Sequence, residues 1–122
     1  MKIKAAIIGY GNIGRSVEQA LAVAEDMQLS GIYHHDDNLT QVDADVALLC
    51  TPTREVPAFA EKMLKKGIAT VDSFDIHKQI PGLRQQLQSL AVEHRAVSVI
   101  AAGWDPGSDS VIRALLQAIA PK

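Results

Sequence analysis

The stretch "IKAAIIGYGNIGRSVEQAL", residues 3–21, limits what this chain can fold into more than any other. It runs from a short apolar segment through three glycines, Gly9, Gly11 and Gly14, into an amphipathic one. The spacing is G-x-G-x-x-G between a strand and a helix. In that setting each glycine has a distinct role. Gly9 permits a tight turn, Gly11 lets a pyrophosphate reach the backbone, and Gly14 lets the helix pack close to the strand. An anion on this turn meets unpaired N–H groups at the positive end of the helix. A glycine-rich turn kept only for packing would use the same letters, so the context has to come from the rest of the chain.

That context is regular. Residues 3–8 read as a buried strand and residues 12–25 as a helix with Ile13, Val17, Leu21 and Ala24 on one face. Residues 28–33, 45–50, 68–72 and 97–101 read as further strands. Residues 55–66 gather Val56, Phe59, Ala60, Met63 and Leu64 on one helical face, and Gly67 stops that helix. Residues 80–94 carry Leu83, Leu87, Leu90 and Ala91 at helical spacing, with Pro81 tolerated in the first turn. Residues 109–119 read as a closing helix with Val111, Ile112, Leu115, Leu116 and Ile119. Apolar strands alternating with helices predict an α/β fold, a doubly wound, Rossmann-like parallel sheet with helices on both faces. One connection departs from this. "HHDDNLTQVDA", residues 34–44, has no apolar helical face, so a loop or a single turn must join the second and third strands.

Composition narrows the function classes. The 122 residues make one domain, residues 1–122, and 48% hydrophobic with 21% charged residues suits a globular protein. A formal charge of −2 without a Lys/Arg cluster argues against nucleic acid as a partner. The apolar run before Gly9 is too short for a signal peptide or a membrane span, so no membrane association and a cytoplasmic location are expected. Cys50 is the only cysteine; it excludes an intrachain disulfide and reads as a buried thiol at the end of "VALLC".

Doubly wound sheets bind ligands at the carboxyl ends of their strands. Two segments there carry chemistry: "TVDSFDIH", residues 70–77, and "AAGWDPGSDS", residues 101–110. They offer Asp72 and Asp75, then Asp105 beside Trp104. A rigid aromatic next to a carboxylate suits a cationic amine, although turn capping by the aspartates and packing by the tryptophan would use the same residues. At the end of the second strand, an acidic residue for the adenosine ribose is the rule. This chain has His34, His35, Asp36 and Asp37 there. Histidine suits a 2′-phosphate, Asp36 suits a 2′-hydroxyl, and a plain polar turn needs neither. A metal site is not expected, because adjacent residues rarely converge on one ion.

"GYGNIGRSVE", "CTPTREVP", "GIATVDSFDIH" and "GWDPGSDSVIRALL" closely resemble the N-terminal part of meso-diaminopimelate dehydrogenases, along almost the whole chain. The resemblance implies an NADP-dependent oxidoreductase, with NAD as the other candidate cofactor. Its substrate would be a small amino acid, oxidatively and reversibly deaminated at the D-configured centre of meso-2,6-diaminopimelate. Carried over by position, Gly11, Asn12, Ile13 and Gly14 would line the pyrophosphate. Thr51, Pro52 and Thr53 would border the nicotinamide, and Asp75, Trp104 and Asp105 would surround the reacting carbon, the two aspartates as catalytic groups. In two places the chain departs from the family pattern. "HHDDN" stands where the family has a pair of arginines, in a shorter segment, and "ALLQAIAPK" ends where the family continues into a substrate and dimerisation domain. The expected role is therefore the cofactor-binding part of such an enzyme; a free-standing, non-catalytic nucleotide-binding module is the alternative. A homodimer would use the surface that the second domain otherwise covers.

Overall fold

The computed structural model describes residues 2–103 and 108–119. The elements are β1 (Ile3–Ile8), α1 (Asn12–Val23), β2 (Met27–Tyr33), β3 (Val46–Leu49), α2 (Val56–Lys65), β4 (Ala69–Asp72), α3 (Ile80–Glu93), β5 (Ser98–Val99) and α4 (Ser108–Ile119). All five strands pair in parallel, in the order β2-β1-β3-β4-β5. The expected fold class is the observed one. From β1 the chain winds outward to β2, and from β3 it winds the other way, so the direction reverses between β1 and β3. In such sheets the crevice outside that reversal is where ligands sit.

Alternation along the strands builds two cores. Ala6 and Ile8 of β1 and Ala47 and Leu49 of β3 face one way, against Val56, Phe59, Ala60, Met63 and Leu64 of α2 and Leu83 and Leu87 of α3. Ala5 and Ile7 face the other way, against Leu21 of α1 with half-buried Val17, Val46 and Leu48 around them. Pro57 and Pro81 stand in the first turns of α2 and α3, where the N–H that proline lacks would have no helical acceptor.

The link from β2 to β3 contains only a 3₁₀ turn, Leu39–Gln41, as its missing apolar face implied. Asn38 Oδ1 accepts from the Thr40 N–H at 3.1 Å, and Lys66 Nζ donates to the Leu39 and Thr40 carbonyls at 3.1 and 2.8 Å. Leu39 and Val42 are buried in the larger core, so this turn covers part of the sheet as a helix would.

Three expectations need correction. Ile13 is 61% exposed rather than on the packed face of α1; it lies in the first helical turn, beyond the strand ends that α1 covers. Cys50 is half-buried, not fully buried. The closing helix forms as expected, at Ser108–Ile119, and its Val111, Ile112, Leu115, Leu116 and Ile119 are exposed. β5 is also shorter than expected, because the Ala101 N–H leaves the ladder for a side chain of β4.

Candidate functional site

The turn after β1 is built as the glycine spacing implied. Gly9 has φ +98°, and a Cβ there would lie 2.6 Å from the Cys50 carbonyl oxygen on the neighbouring strand end. A Cβ on Gly14 would collide with the Gly9 carbonyl oxygen. Both glycines are thus required by the protein's own packing. Gly11 differs: a Cβ there would meet nothing within 4 Å. It precedes α1 with no side-chain cap and no acidic residue in the first turn, so the leading N–H groups of the helix stay available to an anion. Asn12 and Ile13, the next two residues, are exposed beside this space.

The loops after β3, β4 and β5 are tied to this turn and to one another. The Cys50 N–H donates to Ile8 O at 2.7 Å, joining the ends of β3 and β1. Burial raises the Cys50 thiol pKa above its usual value, which keeps it protonated near neutrality. Thr51 Oγ1 is buried without a hydrogen-bond partner. Pro52 leads into a 3₁₀ turn, and Thr53 Oγ1 accepts from the Asp75 N–H at 3.0 Å. That bond fixes the backbone of Asp75 while its side chain stays exposed.

Asp72 does something else. It is 3% exposed and turned inward, where Oδ1 accepts from the Phe74 N–H at 2.9 Å and the Ala101 N–H at 3.0 Å. Its carbonyl accepts from the Ala102 N–H at 2.8 Å. Asp72 thus clamps together the two loops that carry "SFD" and "GWD", and holds Ala101 at φ +57°. Its Oδ2 is buried and unpartnered. Trp104 and Asp105 lie outside the described residues.

At the end of β2, His34 and His35 are exposed in a turn closed by the His34 N–H to Asp37 Oδ2 at 2.7 Å and the Asp37 N–H to His34 O at 3.0 Å. The His34 ring meets the edge of Tyr10, centroids 6.3 Å apart. Tyr10 donates its hydroxyl to Glu18, which raises the phenol pKa, and Arg15 Cζ stands 5.5 Å over its ring. Sequence reasoning passed over Tyr10 and Arg15, although Tyr10 lies inside the glycine motif and Arg15 directly follows it. Among the described residues no group of His, Cys, Asp or Glu side chains is arranged to hold a metal ion, and no helix is long and apolar enough to cross a membrane.

No family model matches the chain. The meso-diaminopimelate D-dehydrogenase of Bacteroides fragilis is 50% identical over 137 aligned residues, which take in 99% of this chain and 46% of that enzyme. The aligned length exceeds the 122 residues here, so the relative carries additional residues within the matched region. Two solved structures superimpose closely. An engineered D-amino acid dehydrogenase bound to NADP+ gives a TM-score of 0.80 at 33% identity, covering 98% of this chain and 42% of that one. The Corynebacterium glutamicum DAP dehydrogenase in complex with DAP gives 0.76 at 34%, covering 97% and 41%. The chain therefore spans less than half the length of the relatives it matches.

Proposed function

We propose, on the premise that nearly the whole chain is homologous to the N-terminal part of the meso-diaminopimelate D-dehydrogenases, that residues 1–122 form the dinucleotide-binding domain of an NADP-dependent amino-acid dehydrogenase. The observation that carries this reading is the empty space in front of Gly11. The fold itself explains Gly9 and Gly14, but leaves Gly11 with room for a Cβ. A pyrophosphate seated against that backbone supplies the missing reason. The dinucleotide then lies over the β1–α1 turn, with Gly11, Asn12, Ile13 and Gly14 along its diphosphate. The end of β2, with His34 and His35, faces its ribose. Thr51, Pro52 and Thr53 border its nicotinamide, where Thr51 Oγ1 is buried and has no hydrogen-bond partner within the chain.

A bound nicotinamide would supply the hydride acceptor. The chain's own part is to hold an amine beside it. Asp75, whose backbone Thr53 fixes, and Asp105 with Trp104 would flank the amino-bearing carbon. Their carboxylates would orient the amine and stabilise the cation left when hydride departs. Water then adds to that cation and ammonium leaves. The substrate class is a small amino acid oxidised at a D-configured centre, meso-2,6-diaminopimelate first among those to test.

The test is turnover of NADP+ and meso-2,6-diaminopimelate by the whole protein that carries this domain. Asp105→Asn is expected to lower kcat by about 100-fold or more while the cofactor Kd stays within about twofold. Equal losses in both, or no loss in either, would contradict the site. Cofactor binding without turnover by the intact protein would favour a nucleotide-binding module instead.

A further inference from the structure

Resting on the cofactor reading above, the geometry points to Arg15 as the residue that selects for a 2′-phosphate on the adenosine ribose, with Tyr10 as the platform that holds it. In this fold the ribose is read at the end of β2, beside the β1–α1 turn. The residues there, His34 to Asn38, supply two histidines and two aspartates but no permanent cation. The structure brings one in from the helix. Tyr10 lies inside the glycine turn, and its ring reaches the end of β2, where His34 meets it edge-on with planes 85° apart. The Arg15 guanidinium lies over the same ring. A single aromatic ring therefore links the diphosphate turn, the β2 end and a fixed positive charge.

Two features leave Arg15 available to a ligand. Glu18 stands three residues on, where a helical ion pair with Arg15 would ordinarily form. Its carboxylate instead accepts the Tyr10 hydroxyl proton in a hydrogen bond. Among the described residues no carboxylate pairs with Arg15 at ion-pair distance, and the side chain is exposed. A guanidinium is always charged, keeps its hydrogen-bonding edge free while stacked on an aromatic face, and matches a phosphate with two donors. A 2′-hydroxyl offers it no charge to meet. Asp36 is the opposing candidate at this place, since a carboxylate accepts from a 2′-hydroxyl and repels a phosphate. The two give opposite selectivity.

The experiment uses the 122-residue chain itself and reads nucleotide fluorescence on titration with NADPH and with NADH. NADPH is expected to bind more tightly than NADH. Arg15→Ala should raise the NADPH Kd about 10- to 100-fold and change the NADH Kd by less than about threefold. Arg15→Lys should recover part of the loss, since it restores charge without the fork. Adenosine 2′,5′-bisphosphate should displace NADPH from the unaltered chain and lose that advantage over 5′-AMP in Arg15→Ala. Tighter NADH than NADPH binding, or a loss in Arg15→Ala that is absent or equal for both cofactors, would overturn the assignment and leave the cofactor site standing. Failure of the unaltered, folded chain to bind either cofactor would overturn both.

Discussion

Gly9, Gly11 and Gly14 look alike in the sequence and differ in why they are glycine. Gly14 would drive a Cβ into the Gly9 carbonyl, so Gly14→Ala should cost more than about 2 kcal/mol of stability. Gly11→Ala adds a methyl to open space and should cost less than about 1 kcal/mol, the ordinary preference for glycine over alanine at a helix N-cap. Thermal melts of the two variants check the contrast, and a large loss from Gly11→Ala would mean that packing alone explains that glycine. The packing roles of Gly9 and Gly14 were legible in the sequence because they follow from local geometry, a strand, a turn and a helix in succession. The role of Asp72 was not. A carboxylate leaving a strand reads equally well as a ligand group, and only the adjacency of β4 and β5 shows it turned inward onto the Phe74 and Ala101 N–H groups. Arg15 and Tyr10 escaped notice for the same reason, since the end of β2 that completes their cluster lies far along the chain.

At the scale of elements, α2 and α3 end alike with different residues. The Ile68 N–H bonds to Met63 O and the Gly67 N–H to Leu64 O after α2; the Ala96 N–H bonds to Ala91 O and the Arg95 N–H to Val92 O after α3. This is the Schellman arrangement, which needs a left-handed residue after the cap. Gly67 takes it at φ +76°, and Arg95 takes it at φ +53°. A side chain there costs about 1–2 kcal/mol, partly offset by the lower chain entropy that a non-glycine residue loses on folding. Arg95→Gly should therefore stabilise the fold by about 0.5–1 kcal/mol, a rise of a few degrees in Tm on calorimetry. An unchanged or lower Tm would show that Arg95 makes up the strain elsewhere. The helix stop at Gly67 was readable from its letter; the one at Arg95 was not, because nothing in arginine marks a left-handed turn. Helical spacing likewise placed the stripe on α4 correctly, but spacing gives the side a helix offers and not what meets it. Val111, Ile112, Leu115, Leu116 and Ile119 are exposed.

Across the whole molecule, strand order turns separate motifs into one site. The reversal between β1 and β3 sets the glycine turn beside the Cys50–Thr53 segment, and Thr53 and Asp72 tie the next two loops to it. Alternation of strands and helices made the sheet legible, and position at strand ends made the loops candidates. What the letters could not supply was the network of backbone donors that fixes those loops relative to one another, since each bond joins residues more than twenty positions apart. The cradle remains the centre of the reading, and it can be tested without any turnover. The decisive measurement is a calorimetric titration of the 122-residue chain with NADPH, paired with the same titration of Gly11→Val. The expected result is saturable one-to-one binding to the unaltered chain, lost in a Gly11→Val variant whose circular dichroism and Tm are unchanged. A folded chain that fails to bind NADPH at millimolar concentration, or a Gly11→Val variant that binds it normally, would contradict the cradle.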